Sequence, residues 1–544
     1  MRRGLAALVM AGGLVALAAG ASAQVPPTPT PNPTANPAPS AEQSTASPSP
    51  SASPTAPPTP PPIEVSPAAG TVPVGQTQNL TVSRVLGDIT LTIADPTVVG
   101  ASVNQSTRVL TLTGKTPGST TVTVADSRGL TRDVPVRVAY LAGTIAVSAS
   151  LQLTGDPASQ SFVKTQVVAL ARKLAQARDG AQIVTSTDDV VLAKPLAQDN
   201  VVDVSVPVLI QGEGFFPANG STRVYVENVA APRIAPDQLM VSDFPETLTE
   251  DGILFTADLA REVPSRFLYF HANPIGQPNR RIVLRAENQS SEPATVQFIE
   301  GRADADPNEL AVGHDSTKRF VVHLLQNEGS LIVIPANASL NLDEQDLPAG
   351  TVVSNLLQLR VLNGGVVHLT LFAQDAGADP NESLTSDALL TGAHAHARGV
   401  YGIPEFHYAA QWRVTDPFLE LSVGQIPLPN QLEGQALSGD YGVLQSFVVN
   451  VQNPLPEPQA IAIYENPRGG RATGTFLIDG VLLQSHQTVA FSRYKLRQYV
   501  VPAKGFVRLT IVTMPEAGSS YPLKLIVAPD DGSVAPGAPG SPVY

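Results

Sequence analysis

Val109-Leu110-Thr111-Leu112, and then Gly114-Lys115-Thr116-Pro117-Gly118-Ser119-Thr120-Thr121-Val122-Thr123-Val124, alternate apolar and polar residues on either side of a turn rich in glycine and proline. Successive side chains of a strand point to opposite faces, so this pattern reads as two strands with one face buried and one wet. The same period recurs at Leu80 and Val82, at Ile89 to Ile93, and at Val134, Val136 and Val138. Short alternating strands with turns every ~8–12 residues predict a small β-sandwich over residues 63–140.

Three pieces of wording inside that span are specific: Val74-Gly75-Gln76, Ala94-Asp95-Pro96-Thr97-Val98-Val99, and the Gly114 to Val124 run followed by Asp126 and Gly129. They resemble bacterial Ig-like domains and the pilus-formation domain found at the N-terminus of secretin-type proteins. The resemblance implies an Ig-like fold and an envelope or assembly setting. Nothing else in the chain resembles a secretin pore, so secretin activity is not implied.

Upstream, Arg2 and Arg3 precede an apolar run from Leu5 to Ala19, and Ala21-Ser22-Ala23 offers small residues for cleavage before Gln24. Residues 1–23 therefore read as an export signal. Residues 24–62 are almost wholly Pro, Thr, Ser, Ala and Asn, with Glu42 as their charged residue. Such a segment buries too little apolar surface to order itself, and its prolines favour extended polyproline geometry. A spacer reaching across an envelope layer and a leader with no reach function are both consistent with it.

Composition narrows the partners. The formal charge is −13, from 34 basic and 47 acidic residues, and it becomes more negative once the two leader arginines are removed; nucleic acid and anionic membrane are excluded as expected partners. The absence of cysteine removes thiolate metal sites, disulfides and cysteine nucleophiles. No apolar run after the signal approaches the ~20 residues of a membrane span.

Further along, residues 143–228 read as a small α+β module. Its helix carries Val163, Val167, Leu170 and Leu174 on one face, with Asp156 and Pro157 at its start and Gly180 at its end. Beyond residue 229 the pattern is strands and turns. Glu287-Asn288-Gln289-Ser290-Ser291-Glu292-Pro293 echoes Gln452-Asn453-Pro454-Leu455-Pro456-Glu457-Pro458. Two further matches, Leu347-Pro348-Ala349-Gly350 with Val501-Pro502-Ala503-Lys504-Gly505 and Leu369-Thr370-Leu371 with Leu523-Lys524-Leu525, extend the echo. The expected organisation is mainly β and multidomain: a connecting β segment at 229–278, a β-sandwich at 279–376, a connecting β/loop segment at 377–440, a second copy at 441–531 and a tail at 532–544.

Candidate chemistry is sparse. His394-Ala395-His396, with His407 downstream, is the histidine cluster; alternate strand positions put two imidazoles on one face, and His394, His396 and His407 are the candidate metal ligands, with His314 as a further one. Ala-Asp-Pro-Asn-Glu at 305–309 and again at 378–382 offers clustered oxygens of the kind Ca2+ takes, although Asp-Pro-Asn is equally a turn sequence. Zn2+ and Ca2+ are thus the candidate ions, with no cofactor established. Asp243, Glu246, Glu250 and Asp251 are expected to form a solvated acidic turn, and Trp412, the single tryptophan, to sit in a core.

No hydrolase, phosphate-loop or metalloprotease motif is present. The expectation is a non-enzymatic, exported protein of the periplasm, cell surface or exterior. Its role would be structural or adhesive, through sandwich surfaces that contact other envelope proteins, wall polymer or a second copy. A periplasmic accessory of pilus or secretion-machinery assembly is the first alternative. A metal-dependent or carbohydrate-active enzyme is the second.

Overall fold

The computed structural model describes residues 61–382, 389–392 and 396–533. The export signal, nearly all of the proline-rich segment, most of the C-terminal tail and His394 lie outside the described residues. The chain is mainly β, built of stacked antiparallel and mixed sheets with two helices among the described residues.

The alternation at the N-terminal end produces two four-stranded sheets. One runs Glu64–Ser66, Thr77–Ser83, Val109–Gly114, Val99–Asn104, and the other Gly70–Pro73, Thr131–Ala139, Gly118–Ala125, Thr90–Ile93. Leu80, Val82, Leu110, Leu112, Val122, Val124, Val134, Val136 and Val138 close the core between them. Gly114 cannot carry a side chain, because a Cβ there would sit 2.5 Å from the carbonyl oxygen of Pro73.

A ten-stranded sheet forms the centre of the chain. Its order is Gln182–Val184, Asn200–Gln211, Ala218–Asn228, Ser148–Thr154, Gly329–Ile334, Ala294–Glu300, Thr351–Asn363, Ser265–Asn273, Gln238–Ser242, Arg398–Gly402. Helix α1 (Gln160–Leu174) covers its first half through Phe162, Val163, Val167, Val168 and Ala171. The helix starts three residues later than Asp156 would place it: Ser159 is the N-cap and accepts from the Phe162 amide, while Ala175 ends it well before Gly180. Leu174 is exposed, so the buried face is rotated toward Phe162 and Val168.

A second helix, α2 (Glu309–Leu325), corrects the expectation of strands alone beyond residue 229. The first Asp-Pro-Asn-Glu copy is its start signal: Asp306 Oδ1 accepts from the Asn308 amide at 2.7 Å, and Asn308 then caps the helix by accepting from Ala311. The second copy, at Asp379 and Asn381, closes an Asx turn in which Oδ1 of Asp379 accepts from the Asn381 amide at 2.9 Å.

Strand Ser265–Asn273 shows why the inner strands of the central sheet carry no alternation, in contrast to Asn200–Gln211 and Ala218–Asn228. Phe267 and Tyr269 face one core, closed by a four-stranded sheet of Gly252–Leu259, Val367–Asp375, Arg280–Asn288 and Ala338–Leu347, while Leu268 and Phe270 face α2 and the last sandwich. Both faces are buried, so both are apolar.

The last sandwich pairs Glu405–Arg413, Leu444–Gln452, Phe506–Thr513, Ala472–Ile478 and Val481–Thr488 against Leu419–Val423, Leu523–Pro529, Gln459–Pro467 and Tyr494–Val501. Trp412 lies in its core, 3% exposed. Arg266 joins it to the central sheet: wholly buried, its guanidinium donates to the carbonyl oxygens of Pro404 (2.8 Å) and Gly442 (3.2 Å) and to Glu405 Oε1 (2.9 Å), over the ring of Phe320.

The sequence echo has a physical cause. Asn288 Nδ2 donates to the carbonyls of Glu292, Ile334 and Pro335, and Asn453 Nδ2 donates to those of Glu457, Val501 and Pro502. Each side-chain oxygen accepts from the amide two residues on. The turn equivalent to Val501-Pro502-Ala503-Lys504 is therefore Ile334-Pro335-Ala336-Asn337, with Asn337 and Lys504 both at positive φ, and not Leu347 to Gly350. Likewise Leu523–Pro529 pairs with Gln459–Pro467 as Thr351–Asn363 pairs with Ala294–Glu300, which makes it the counterpart of that strand rather than of the one holding Leu369.

Candidate functional site

Strand Gln238–Ser242 pairs antiparallel with Arg398–Gly402, with Ser242 opposite Arg398. Continuing that ladder, the Asp243 amide donates to Ala397 O at 2.9 Å, which brings Asp243 beside His396. The chain then turns through Phe244 and Pro245, and Glu246 is pinned by its carbonyl to the Ala272 amide at 2.7 Å. His396 ends up between two carboxylates: Nε2 lies 3.1 Å from Glu246 Oε2 and Nδ1 3.7 Å from Asp243 Oδ2.

These three residues line a cavity of about 240 Å³ together with Glu309, Tyr441 and the Ala517 to Ser519 turn of the last sandwich. The cavity sits where the central sheet, the start of α2 and the last sandwich meet. Burial, and then the neighbouring Glu246 carboxylate, push the Asp243 carboxyl well above the ordinary carboxylate range. Asp243 Oδ1 is buried with no hydrogen-bond partner among the described residues. Burial pushes the Tyr441 hydroxyl up to about 12, and this phenol donates to Ser519 O at 2.8 Å.

Behind the turn, Ser242 and His271 form a pair that has nucleophile-and-base geometry and none of its access. Both are wholly buried. His271 Nδ1 lies 2.9 Å from Pro245 O and Nε2 lies 3.1 Å from Ser242 Oγ; a carbonyl only accepts, so Nδ1 carries the proton and the serine hydroxyl donates to Nε2. The ring is a neutral strut that holds the acidic turn. Burial lowers its pKa to about 4, with Arg398 adding to the effect against the Pro245 carbonyl.

The sign of the resulting pH dependence follows directly. Folded His271 titrates near 4 and an unfolded histidine near 6.5, so the stability it contributes is intact above pH ~6.5 and is lost as pH falls through ~4. The difference amounts to about 3 kcal/mol across that window. In urea titrations, His271→Gln is expected to lose less stability than the parent between pH 6.5 and 4.5; parallel losses would refute the neutral-strut assignment.

Of the other candidate ligands, His407 stands on strand Glu405–Arg413, 72% exposed, with Nε2 4.0 Å from Glu405; it is not among the cavity-lining residues. His314 belongs to α2 and binds elsewhere, its Nδ1 3.0 Å from Glu516 Oε2. Burial opposes a charge there, yet Glu516 raises the His314 pKa above the ordinary value. Burial, with Glu516 adding repulsion, pushes the neighbouring Glu465 up to about 7.

Sequence reasoning missed Asp243 and Glu246 as site residues. The half-buried positions of both correct the solvated-turn expectation, while Glu250 and Asp251 are exposed as expected. The available signal was Leu239-Met240-Val241, an unbroken apolar entry that places the carboxylates at the end of a buried strand.

Residues 67–139, the first sandwich apart from its opening strand Glu64–Ser66, match the family model described as the pilus formation protein N terminal region. No curated protein matches the chain. Among solved structures, the fibronectin(III)-like modules of Clostridium thermocellum CbhA are 13% identical over 32% of this chain and 98% of theirs, with a TM-score of 0.16. The N-terminal Ig1-2 module of the Drosophila receptor protein tyrosine phosphatase DLAR is 8% identical over 30% and 99%, at 0.13. The Bacteroides ovatus protein SGBP-B, in complex with a mixed-linkage heptasaccharide, is 12% identical over 56% and 71%, at 0.12. Scores this low carry no information about shared function. Among the described residues, no helix is long and apolar enough to cross a membrane.

Proposed function

We propose that this chain is an exported, non-catalytic β-sandwich protein that assists assembly of pili or secretion machinery in the cell envelope. The observation that supports it is the family match at residues 67–139, which covers the first sandwich from its second strand to its last and nothing outside it. That sandwich is fastened to the rest of the chain: the Phe216 amide donates to Tyr140 O at 2.8 Å, and Arg137 and Arg178 stack on the rings of Phe216 and Tyr140. Its outer strands, Val99–Asn104 among them, leave unpaired backbone groups to which a partner strand can add. The large β remainder then serves as a scaffold that presents this module, in keeping with an acidic surface and the proline-rich lead.

Crosslinking in intact cells of the native host, followed by fractionation, tests the reading. Recovery of pilus or secretin components with the full chain from the periplasmic side is expected. Recovery from the outer surface with only itself or wall polymer would replace it with the broader structural or adhesive role.

A further inference from the structure

The geometry points to a divalent metal site of the zinc class formed by Asp243, Glu246 and His396 at the seam between the central sheet and the last sandwich. It does not depend on the assembly reading.

The donor set comes from two chain segments that the sheet register brings together. One side-chain ligand atom from each residue lies within 4.8 Å of the others. In a tetrahedral site with bonds of ~2.0 Å, neighbouring ligand atoms are roughly 3.3 Å apart; the separation of 3.1 Å between His396 Nε2 and Glu246 Oε2 already matches, whereas the 3.7 Å contact of Asp243 is to the other ring nitrogen, Nδ1, so closing the site on one nitrogen takes a rotation of the imidazole or of the Asp243 side chain. Asp243 Oδ1, buried and without a hydrogen-bond partner among the described residues, is a lone pair for which those residues supply no donor. An ion would supply what it lacks.

The supporting shell is fixed in advance. The Asp243 amide is tied to Ala397 O, Glu246 O to the Ala272 amide, and Pro245 O to the buried His271. Arg398 holds the other side of the turn by donating to Phe244 O and Leu390 O. Ligands held this way lose little freedom on binding. An imidazole beside two carboxylates suits zinc and its first-row neighbours better than Ca2+ or Mg2+, which take oxygen-only shells. The open cavity beyond, with Glu309 on its wall, leaves room for a water as fourth ligand.

The test uses the mature full-length protein, stripped with a chelator and dialysed separately against Zn2+, Mn2+ and Ca2+ at micromolar free ion, with bound metal measured by mass spectrometry. One Zn2+ per chain and a Zn2+-dependent rise in Tm are expected. His396→Ala, Asp243→Asn and the milder Glu246→Gln should each weaken binding by at least about 100-fold, while His407→Ala leaves it unchanged. Circular dichroism of the metal-free variants separates lost ligation from lost folding. Absence of stoichiometric zinc in the parent, preference for Ca2+, or retention of zinc by folded His396→Ala and Glu246→Gln would overturn the assignment.

Discussion

Gly313→Ala is expected to destabilise the protein by about 3 kcal/mol, against the intrinsic preference of a helix. Alanine in place of glycine inside a helix ordinarily gains ~1 kcal/mol. Gly313, however, lies in α2 where it meets the last sandwich: a Cβ there would fall 1.6 Å from the carbonyl oxygen of Ala517, and one on Gly518 would fall 2.4 Å from that of Glu309. Neither obstacle is a side chain that can rotate away, so helix and turn must separate. Separation also parts His314 from Glu516, which is wholly buried and otherwise held by Thr473. Overpacking of this kind costs 1–3 kcal/mol and occasionally more, and loss of the buried pair adds to it. Urea titration reads the effect, with hydrogen exchange at residues 514–520 locating it. A variant as stable as the parent, or more so, would show that the seam is loose and that propensity governs.

Much of the fold was legible because most strands bury one face. Leu110 and Leu112, or Val122 and Val124, state their own register. Strand Ser265–Asn273 does not, since Phe267 to Phe270 are buried on both sides and the signal of period two is lost. Helix α2 was hidden for a related reason: Gly313, His314, Ser316 and Thr317 are buried polar or small residues on its packed face, and only tertiary partners such as Glu516 make them acceptable there. The site was the least legible part. His396 was visible as half of a histidine pair, but its neighbours Asp243 and Glu246 belong to a turn far earlier in the chain, and only the pairing of Ser242 with Arg398 brings them together. Function was read from the wording of residues 63–140 and from nothing in the cavity.

Asn288→Ala and Asn453→Ala should each cost about 3 kcal/mol, by equal amounts, and the double variant should cost their sum. Each asparagine is buried and donates to three backbone carbonyls, of which the one at Ile334 or Val501 is itself buried, while its oxygen satisfies one amide. Leaving buried backbone groups unpaired costs ~1–3 kcal/mol for each group, which makes these side chains worth more than most apolar ones of their size. The carbonyls come from two places in each unit, the loop after the asparagine and the Pro-Ala turn at Pro335 or Pro502, so the side chain clamps one sheet to the other. The corresponding distances agree within 0.1 Å, from 2.8 Å at Glu292 and Glu457 to 3.2 Å at Ile334 and Val501. The two clamps share no partner, so their costs should add to within ~0.5 kcal/mol. Asn→Asp at either position keeps the shape but replaces the donor with an acceptor, and should be worse than alanine at neutral pH, where a buried carboxylate faces three carbonyl oxygens. Equal costs, additivity and that ordering together would establish the two clamps as one device used twice. If Asn453→Ala were neutral while Asn288→Ala was costly, the echo would be one of sequence alone.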